Sequence, residues 1–336
     1  MKYRIIFGFL CLCMAIQSAE VTKTGTTAAV FLKIDVGSRA TAMGSSFTSV
    51  ATDATAMFWN PSGIAFLDQA DAVFSHARWI ADISINYAAV AVPLKGVGTV
   101  GINGVFMTMD DMERTTTQYP EGTGEMFSCG SYAFGLSFAR MMTNNFSIGL
   151  NAKYITENIF NSSATGFAID LGTLYNTPIK GLSMGMSITN YGTKMRMEGR
   201  DLLLPSDPDP TISGNNSQIM SNLRTDSYEL PLLFRFGFSY MALPNLDNHD
   251  LLLSIDLLHP NDDVEMVNFG AEYVFMHLFA IRGGYKSLLK EDSEEGLCLG
   301  AGFMAGIAST ELRIDYAYKD FGRLKDVQMF TIGLNF

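Results

Sequence analysis

Charged side chains recur on the polar face of segments whose opposite face is aromatic or aliphatic. The members of this set are Arg235, Arg282, Glu311, Arg313 and Asp315. Successive side chains of a strand point to opposite faces, so these charges would share one side of a sheet and the apolar side chains the other. Enclosed charges of both signs either pair into salt bridges or line a path for a polar solute. We favour salt bridges that hold structural elements together.

Side chains with other chemistry are scattered. The four histidines form no HExxH-like pair; they are His76, His249, His259 and His277. No Gly-x-Ser-x-Gly elbow or phosphate-binding loop appears, and the glycines of 98–104 lie inside a predicted strand rather than between a strand and a helix. A Ser/His or Asp/His pair formed over a long range stays open. We predict no enzyme activity, no catalytic residue, no metal site and no cofactor.

Strict alternation of apolar and polar residues is the main structural signal. Phe234, Phe236 and Phe238 alternate with Arg235 and Gly237. The last residues, 326–336, alternate in the same way and end on a phenylalanine, as many bacterial outer-membrane barrels do. Counting such segments back from the C-terminus gives fourteen strands. A soluble β-sandwich produces the same period; the fold class we predict is an all-β transmembrane antiparallel β-barrel of about fourteen strands.

Composition supports a membrane barrel over a soluble protein. Charged residues make up 17% of the 336-residue chain, below the roughly 25% usual for soluble domains. Beyond the N-terminus no apolar run of about 20 residues is present for a spanning helix, and strands can span a bilayer only as a closed barrel. The net charge of −11 argues against a nucleic-acid partner, which requires a basic surface.

The N-terminus resembles a secretory signal peptide over residues 1–19. Lys2 and Arg4 precede an apolar stretch, and Ala19 marks the expected cleavage site. Cys11 and Cys13 would leave with it, so two isolated, structural cysteines remain, Cys129 and Cys298. We therefore predict export to the outer membrane of a Gram-negative-type bacterium, with lipid and lipopolysaccharide around the barrel.

Residues 20–69 do not alternate like a barrel wall, and we interpret them as an N-terminal hatch in the lumen of a barrel formed by 70–336. Asp53 or Thr52 is expected to cap a short helix over Ala54–Trp59. Pro61 and Gly63 would end that helix.

The hatch also carries a resemblance to a known family. The stretches 37–44, 51–54 and 59–65 (Trp-Asn-Pro-Ser-Gly-Ile-Ala) resemble the N-terminal signature of PorV/PorQ proteins within the FadL-like outer-membrane barrels. The resemblance implies a fourteen-stranded barrel with a lumenal hatch shaped by Asn60 and Pro61. Trp59 would pack on the wall in preference to lining a ligand path, and Gly63 completes the hatch motif.

Two long loops, 108–128 and 192–229, are expected at one end of the barrel, where partner binding is common. The second is the candidate partner-binding loop, through Asp201, Pro205, Asp207, Pro208, Asp209 and Pro210. Resemblance to PorV implies a type IX secretion component that binds the C-terminal signal domains of secreted cargo, together with other secretion-system subunits. Resemblance to FadL-type barrels implies the alternative, transport of hydrophobic small molecules.

Overall fold

The wall of the molecule is a closed barrel. The computed structural model describes residues 23–209, 211, 213, 218–242, 248–290, 293–307 and 310–336, so the expected signal peptide and Pro210 lie outside the described residues. Fourteen antiparallel strands form the ring, which confirms the predicted fold class. They are β1 Asp71–Arg78, β2 Ser84–Leu94, β3 Gly98–Thr108, β4 Cys129–Thr143, β5 Phe146–Ile159, β6 Ser162–Asn176, β7 Leu182–Gly192, β8 Leu233–Met241, β9 His249–Pro260, β10 Met266–Phe275, β11 Phe279–Tyr285, β12 Leu297–Ile307, β13 Thr310–Asp320 and β14 Asp326–Asn335.

Closure joins the first strand to the last. Phe74 of β1 lies opposite Ile332 of β14, and every other strand pairs with its neighbour in the chain. Closure leaves no unpaired strand edge in the ring, as a hydrocarbon environment demands. The outward side chains are apolar and exposed, for example Leu136 (64%), Phe167 (63%) and Ile281 (68%). We take this face to be the one covered by lipid.

The two ends of the barrel differ in their connections. One end carries short connections, such as 95–97, 144–145 and 276–278, and also the junction of the hatch with β1, where the Ala70 N–H donates to the Phe336 carbonyl (3.0 Å). The opposite end carries the long loops 109–128 and 193–232. Bacterial barrels place short turns in the periplasm, so we name these the periplasmic end and the outer end.

The N-terminal segment 23–69, the hatch, lies inside the ring and is made of short helical turns. It contains 3-10 turns Val30–Lys33 and Pro61–Phe66 and the α-helices α1 Ser38–Ala42 and α2 Ala56–Trp59. Its side chains form the main buried cluster of the protein with inward side chains of the wall. No helix in the described part of the chain is long and apolar enough to cross a membrane.

The local prediction for α2 was wrong in its start. The helix begins at Ala56 rather than Ala54, and no side chain caps it. Asp53 instead accepts a hydrogen bond from the Thr55 N–H (2.9 Å), a local bond that competes with helix formation. Pro61 does more than end α2, because it occupies the first turn of the next 3-10 helix, where its missing N–H costs nothing.

Candidate functional site

Asn60 holds the hatch to the wall and to itself. Its backbone is extended, as expected before Pro61. Its side-chain amide donates to the Thr48 carbonyl (2.8 Å) and to the Thr173 carbonyl of β6 (3.0 Å), while its oxygen accepts from the Ser62 hydroxyl (2.7 Å). Every polar atom of this fully buried amide is therefore used to position the hatch, which is a structural role.

Trp59 packs in the core of the hatch. It is 1% exposed, its indole N–H donates to the Val36 carbonyl (3.0 Å), and Phe47 and Phe58 meet it edge to face. The guanidinium of Arg235 on β8 lies 5.1 Å from the Trp59 ring centre. Trp59 lines neither of the two cavities described below.

Gly63 lies where the hatch folds most tightly on itself. A Cβ atom at this position would stand 1.9 Å from the Ala51 carbonyl oxygen, so only glycine fits. The predicted hatch motif is thus brought together as packing and hydrogen bonding between chain segments.

A chain of buried charges links the hatch to strands β10 to β13. Arg39 of α1 donates two hydrogen bonds to the Glu272 carboxylate (2.9 and 2.7 Å). Arg282 donates to the same carboxylate (2.6 Å) and to Asp315 (2.5 Å). Two of the predicted lumenal charges, Arg282 and Asp315, therefore form a salt-bridge ladder, and this ladder ends on the hatch.

A second charged cluster lies nearer the outer end. Asp35 of the hatch accepts hydrogen bonds from Lys286 (2.9 Å) and Lys319 (2.8 Å), and both ammonium groups also reach Glu295 (3.0 and 2.6 Å). Burial alone would raise the pKa of Asp35. The two neighbouring ammonium groups have the larger combined effect, and the pKa lies well below its ordinary value. The four groups carry two charges of each sign and neutralise one another.

Two further lumenal charges, Glu311 and Arg313, lie toward the periplasmic end. Arg313 pairs with Asp71 and stands 3.7 Å from Asp53 of the hatch. Glu311 is exposed and lines a polar cavity of about 370 Å³, the periplasmic cavity, together with Arg313 and Asp315. Arg235 and Glu311 form no salt bridge within the described residues, and the Arg235 guanidinium rests on the ring of Trp59.

The three acidic residues of the candidate partner-binding loop accept hydrogen bonds from nearby segments. Asp201 accepts hydrogen bonds from the backbone and side chain of Asn161 (both 3.1 Å), which ties the loop to the turn between β5 and β6. Asp207 accepts from the Asp209 N–H (3.0 Å), and Asp209 from the Thr211 N–H (3.0 Å), so both shape local turns. Pro205 lies in a small hairpin, Leu203–Ser206 with Ile219–Asn222, and Pro208 is exposed.

An apolar cavity of about 230 Å³, the rim cavity, opens at the outer end. It lies between the outer ends of β3, β4 and β5 and is also lined by one residue from each long loop, Met109 and Met197. Its apolar lining is supplied by Ile83, Met107, Met109, Cys129, Ile159 and Met197. Four of these six side chains contain sulfur, which is polarizable and adapts to apolar guests of different shape.

Glu157 of β5 connects the rim cavity to the hatch. Its carboxylate lines the cavity and accepts a hydrogen bond from the Ala29 N–H (3.2 Å), just before the first turn of the hatch. Ala29 itself is 1% exposed and belongs to the buried cluster. A molecule in the rim cavity would therefore contact Glu157, which in turn is hydrogen-bonded to the N-terminal end of the hatch.

The residues that line the rim cavity carry no signal in the sequence. Met107, Cys129, Glu157 and Met197 come from three strands and a loop, and no local pattern marks them. Asp35 and Arg39 gave a usable signal, because charges inside a Gly- and Ala-rich buried segment require partners.

Comparisons with known proteins place the fold. No protein-family model and no curated protein sequence matches the chain. A FadL homologue of Pseudomonas aeruginosa is 12% identical, with a TM-score of 0.53 over 90% of this chain and 98% of that chain. The fold is that of a FadL-like outer-membrane channel. The resemblance to PorV/PorQ is not supported by these comparisons.

Two further solved structures with this fold are described as transporters. The toluene transporter TodX of Pseudomonas putida is 10% identical, with a TM-score of 0.53 over 89% of this chain and 96% of that chain. The toluene transporter TbuX of Ralstonia pickettii is 10% identical, with a TM-score of 0.51 over 89% and 97%. In the described part of the chain, no group of three or more His, Cys, Asp or Glu side chains is arranged to hold a metal.

Proposed function

We propose that this barrel carries small apolar molecules across the outer membrane, with the rim cavity as the site of capture. The proposal rests on an apolar cavity at the outer end, one of whose lining residues, Glu157, is hydrogen-bonded to the hatch. A cavity of about 230 Å³ is larger than the ~150 Å³ apolar cavity known to bind benzene in another protein, so a single-ring hydrocarbon fits.

Passage beyond the rim requires the hatch to rearrange. The hatch packs against inward side chains of the wall, while the periplasmic cavity reaches from α1 to the periplasmic turns. A molecule captured at the rim sits beside Glu157, whose carboxylate accepts a hydrogen bond from the Ala29 N–H. Movement of the N-terminal end of the hatch is therefore the first step that admits the molecule to the lumen. The toluene transporters that share this fold support a hydrocarbon as substrate.

The native cysteines provide the test. Cys129 lines the rim cavity, whereas Cys298 is buried in the wall. Benzyl methanethiosulfonate, an apolar thiol reagent, should modify Cys129 and leave Cys298 intact, as intact mass and the Cys129→Ser variant will show. Toluene should slow this modification in a saturable manner. If toluene does not protect Cys129 at any concentration that leaves the barrel folded, the proposal fails.

A matched pair of variants extends the test to transport. Met197→Trp adds bulk inside the rim cavity, and Met220→Trp adds the same bulk on the exposed loop hairpin. Proteoliposomes should lose saturable toluene entry with the first variant and keep it with the second. Equal entry through both variants would contradict capture at the rim.

One observation favours a second candidate function, a role in secretion. The loop hairpin exposes apolar side chains, including Leu204 (51%) and Met220 (58%), and exposed apolar groups at such a position suit a protein partner. Deletion of 199–222 would then abolish copurification of secreted proteins that end in a β-sandwich signal domain, with the barrel still heat-modifiable on gels. If secretion is unchanged after the deletion, the role in secretion is wrong and the transport proposal stands.

A further inference from the structure

We infer that the rim cavity selects apolar molecules that carry a hydrogen-bond-donating head group, amines above all, and discriminates against carboxylates. This inference rests on the proposed function and names its substrate class. It follows from the polar part of the lining. Glu157 is the one ionisable group there apart from the Cys129 thiol, and no basic side chain lines the cavity among the described residues.

The Glu157 carboxylate is placed to receive a donor. One oxygen, Oε2, accepts from the Ala29 N–H at 3.2 Å, a long bond for a carboxylate. The described residues supply no donor to the other oxygen, Oε1. Glu157 is half-buried and has apolar neighbours from the cavity wall, such as Met107 and Ile159. A carboxylate in such surroundings gains more from a donor than one in water does.

The neutral polar groups of the lining do not offset this preference. Ser131 and Asn158 lie on β4 and β5 next to Glu157, and Thr108 lies on β3. Hydroxyl and amide groups can bind either a donor or an acceptor. They therefore do not distinguish amine or alcohol head groups from carboxylate head groups. The sign of the selectivity is therefore set by Glu157: a cationic head is attracted to it and an anionic head is repelled.

Four single-ring ligands of similar size test the inference: toluene, benzyl alcohol, benzylamine and benzoate. Protection of Cys129 from benzyl methanethiosulfonate is measured for each at neutral pH, where benzylamine is a cation and benzoate an anion. Benzylamine should protect at the lowest concentration and benzoate at the highest. A hydrogen bond to a charged group corresponds to a difference on the order of 10- to 100-fold.

The decisive variant is Glu157→Gln, which keeps the shape and removes the charge. It should weaken protection by benzylamine at least about tenfold, strengthen protection by benzoate, and leave toluene within about twofold. Asp111→Asn removes the same charge from an exposed position on the neighbouring outer loop and should change none of the four. An equal effect of both variants would show that the general surface charge, not Glu157, sets the preference.

The outcomes separate this inference from the proposed function. If toluene protects Cys129 but benzylamine has no advantage, or if Glu157→Gln leaves the order unchanged, the head-group selectivity is wrong and the capture of apolar molecules stands. If none of the four ligands protects Cys129, both fail together.

Discussion

The hatch meets two unlike halves of the barrel. Toward β10–β13, the charged half, it is held by buried ion pairs through three of its own charged residues, Asp35, Arg39 and Asp53. Toward β2–β6, the neutral half, the hatch is held on the periplasmic side of the rim cavity by hydrogen bonds between uncharged groups. The pairs are Tyr87 with the Ala54 carbonyl (3.1 Å), Asn151 with the Met57 carbonyl (3.2 Å) and Ser147 with the Ser62 carbonyl (3.1 Å).

The difference indicates which side of the hatch can move. Breaking a buried ion pair by removing one partner costs about 3–5 kcal/mol, whereas a neutral hydrogen bond contributes about 1 kcal/mol. The rim cavity lies over the neutral half, between β3, β4 and β5. We therefore expect the hatch to pivot on the charged half and to release first from the neutral half, directly beneath the bound molecule.

The largest effect should come from the charged half, with Lys319→Met. Lys319 is 1% exposed, and its loss leaves Asp35 and Glu295 to share the single ammonium group of Lys286. The free energy of unfolding in detergent should fall by about 3–5 kcal/mol. Arg114→Met is the control, because it breaks an exposed loop pair with Glu125, where a change of about 0–1 kcal/mol is expected. Similar losses of unfolding free energy in both variants would show that the buried ion pairs hold the hatch no more strongly than an exposed pair holds a loop.

On the neutral half, the next largest effect is steric, with Gly149→Ala. A Cβ atom there would stand 2.3 Å from the Ser62 backbone nitrogen, so the hatch must shift away from β5. We expect a loss of about 1–3 kcal/mol and faster proteolysis of the hatch, with the barrel still heat-modifiable. Gly283→Ala, where the nearest neighbour is Leu299 at 3.7 Å, should change neither property. A protease-resistant hatch in Gly149→Ala would show that the contact between β5 and the hatch can accommodate a methyl group.

A smaller effect is expected from Tyr87→Phe, which removes one neutral hydrogen bond to the hatch and keeps the ring. The Ala54 carbonyl keeps only the longer bond from the Met57 N–H (3.4 Å), and the free energy of unfolding should fall by about 1 kcal/mol. Toluene entry should rise or stay constant if the neutral half is the side that opens. A fall in toluene entry with the fold retained would contradict that direction of movement.

The wall could be predicted from sequence because its signal is local. Aromatic and aliphatic residues alternate with small or polar ones along single strands, as in β8, and lipid outside with packed chain inside enforces that period. The hatch turns were less predictable. Asp53 looks like a helix cap in sequence, yet its carboxylate bonds to Thr55 and lies near Arg313, a partner that only the fold brings close.

The site itself depends on distant contacts. Arg39 and Glu272 are paired across 233 positions of the chain, and the rim cavity exists only where three strand ends and three connecting segments meet. Charge and apolar character were visible in the sequence, but their assignment to a charged and a neutral half required the order of strands around the ring. The long acidic loop was singled out by its length and charge, whereas Asp207 and Asp209 accept hydrogen bonds within local turns and Asp201 binds the turn between β5 and β6.

The smallest effect concerns pH and tests the charged half without a mutation. Because the folded pKa of Asp35 lies below its unfolded value of 3.8, its stabilising contribution is complete above that value and is lost only as the pH falls through the lower folded pKa. The pKa of Glu295 is likewise lowered, since burial raises it less than Lys286 and Lys319 lower it. The fluorescence of Trp59, measured in a Trp79→Phe background, should therefore stay constant from pH 7 to about pH 4. In Lys319→Met both carboxylates lose a cation, so release of the hatch should begin at a higher pH than in the parent. A parent hatch that is already released near pH 5 would show that its acid release is set by carboxylates outside this cluster, such as Asp256, which accepts hydrogen bonds from Phe47 and Thr48.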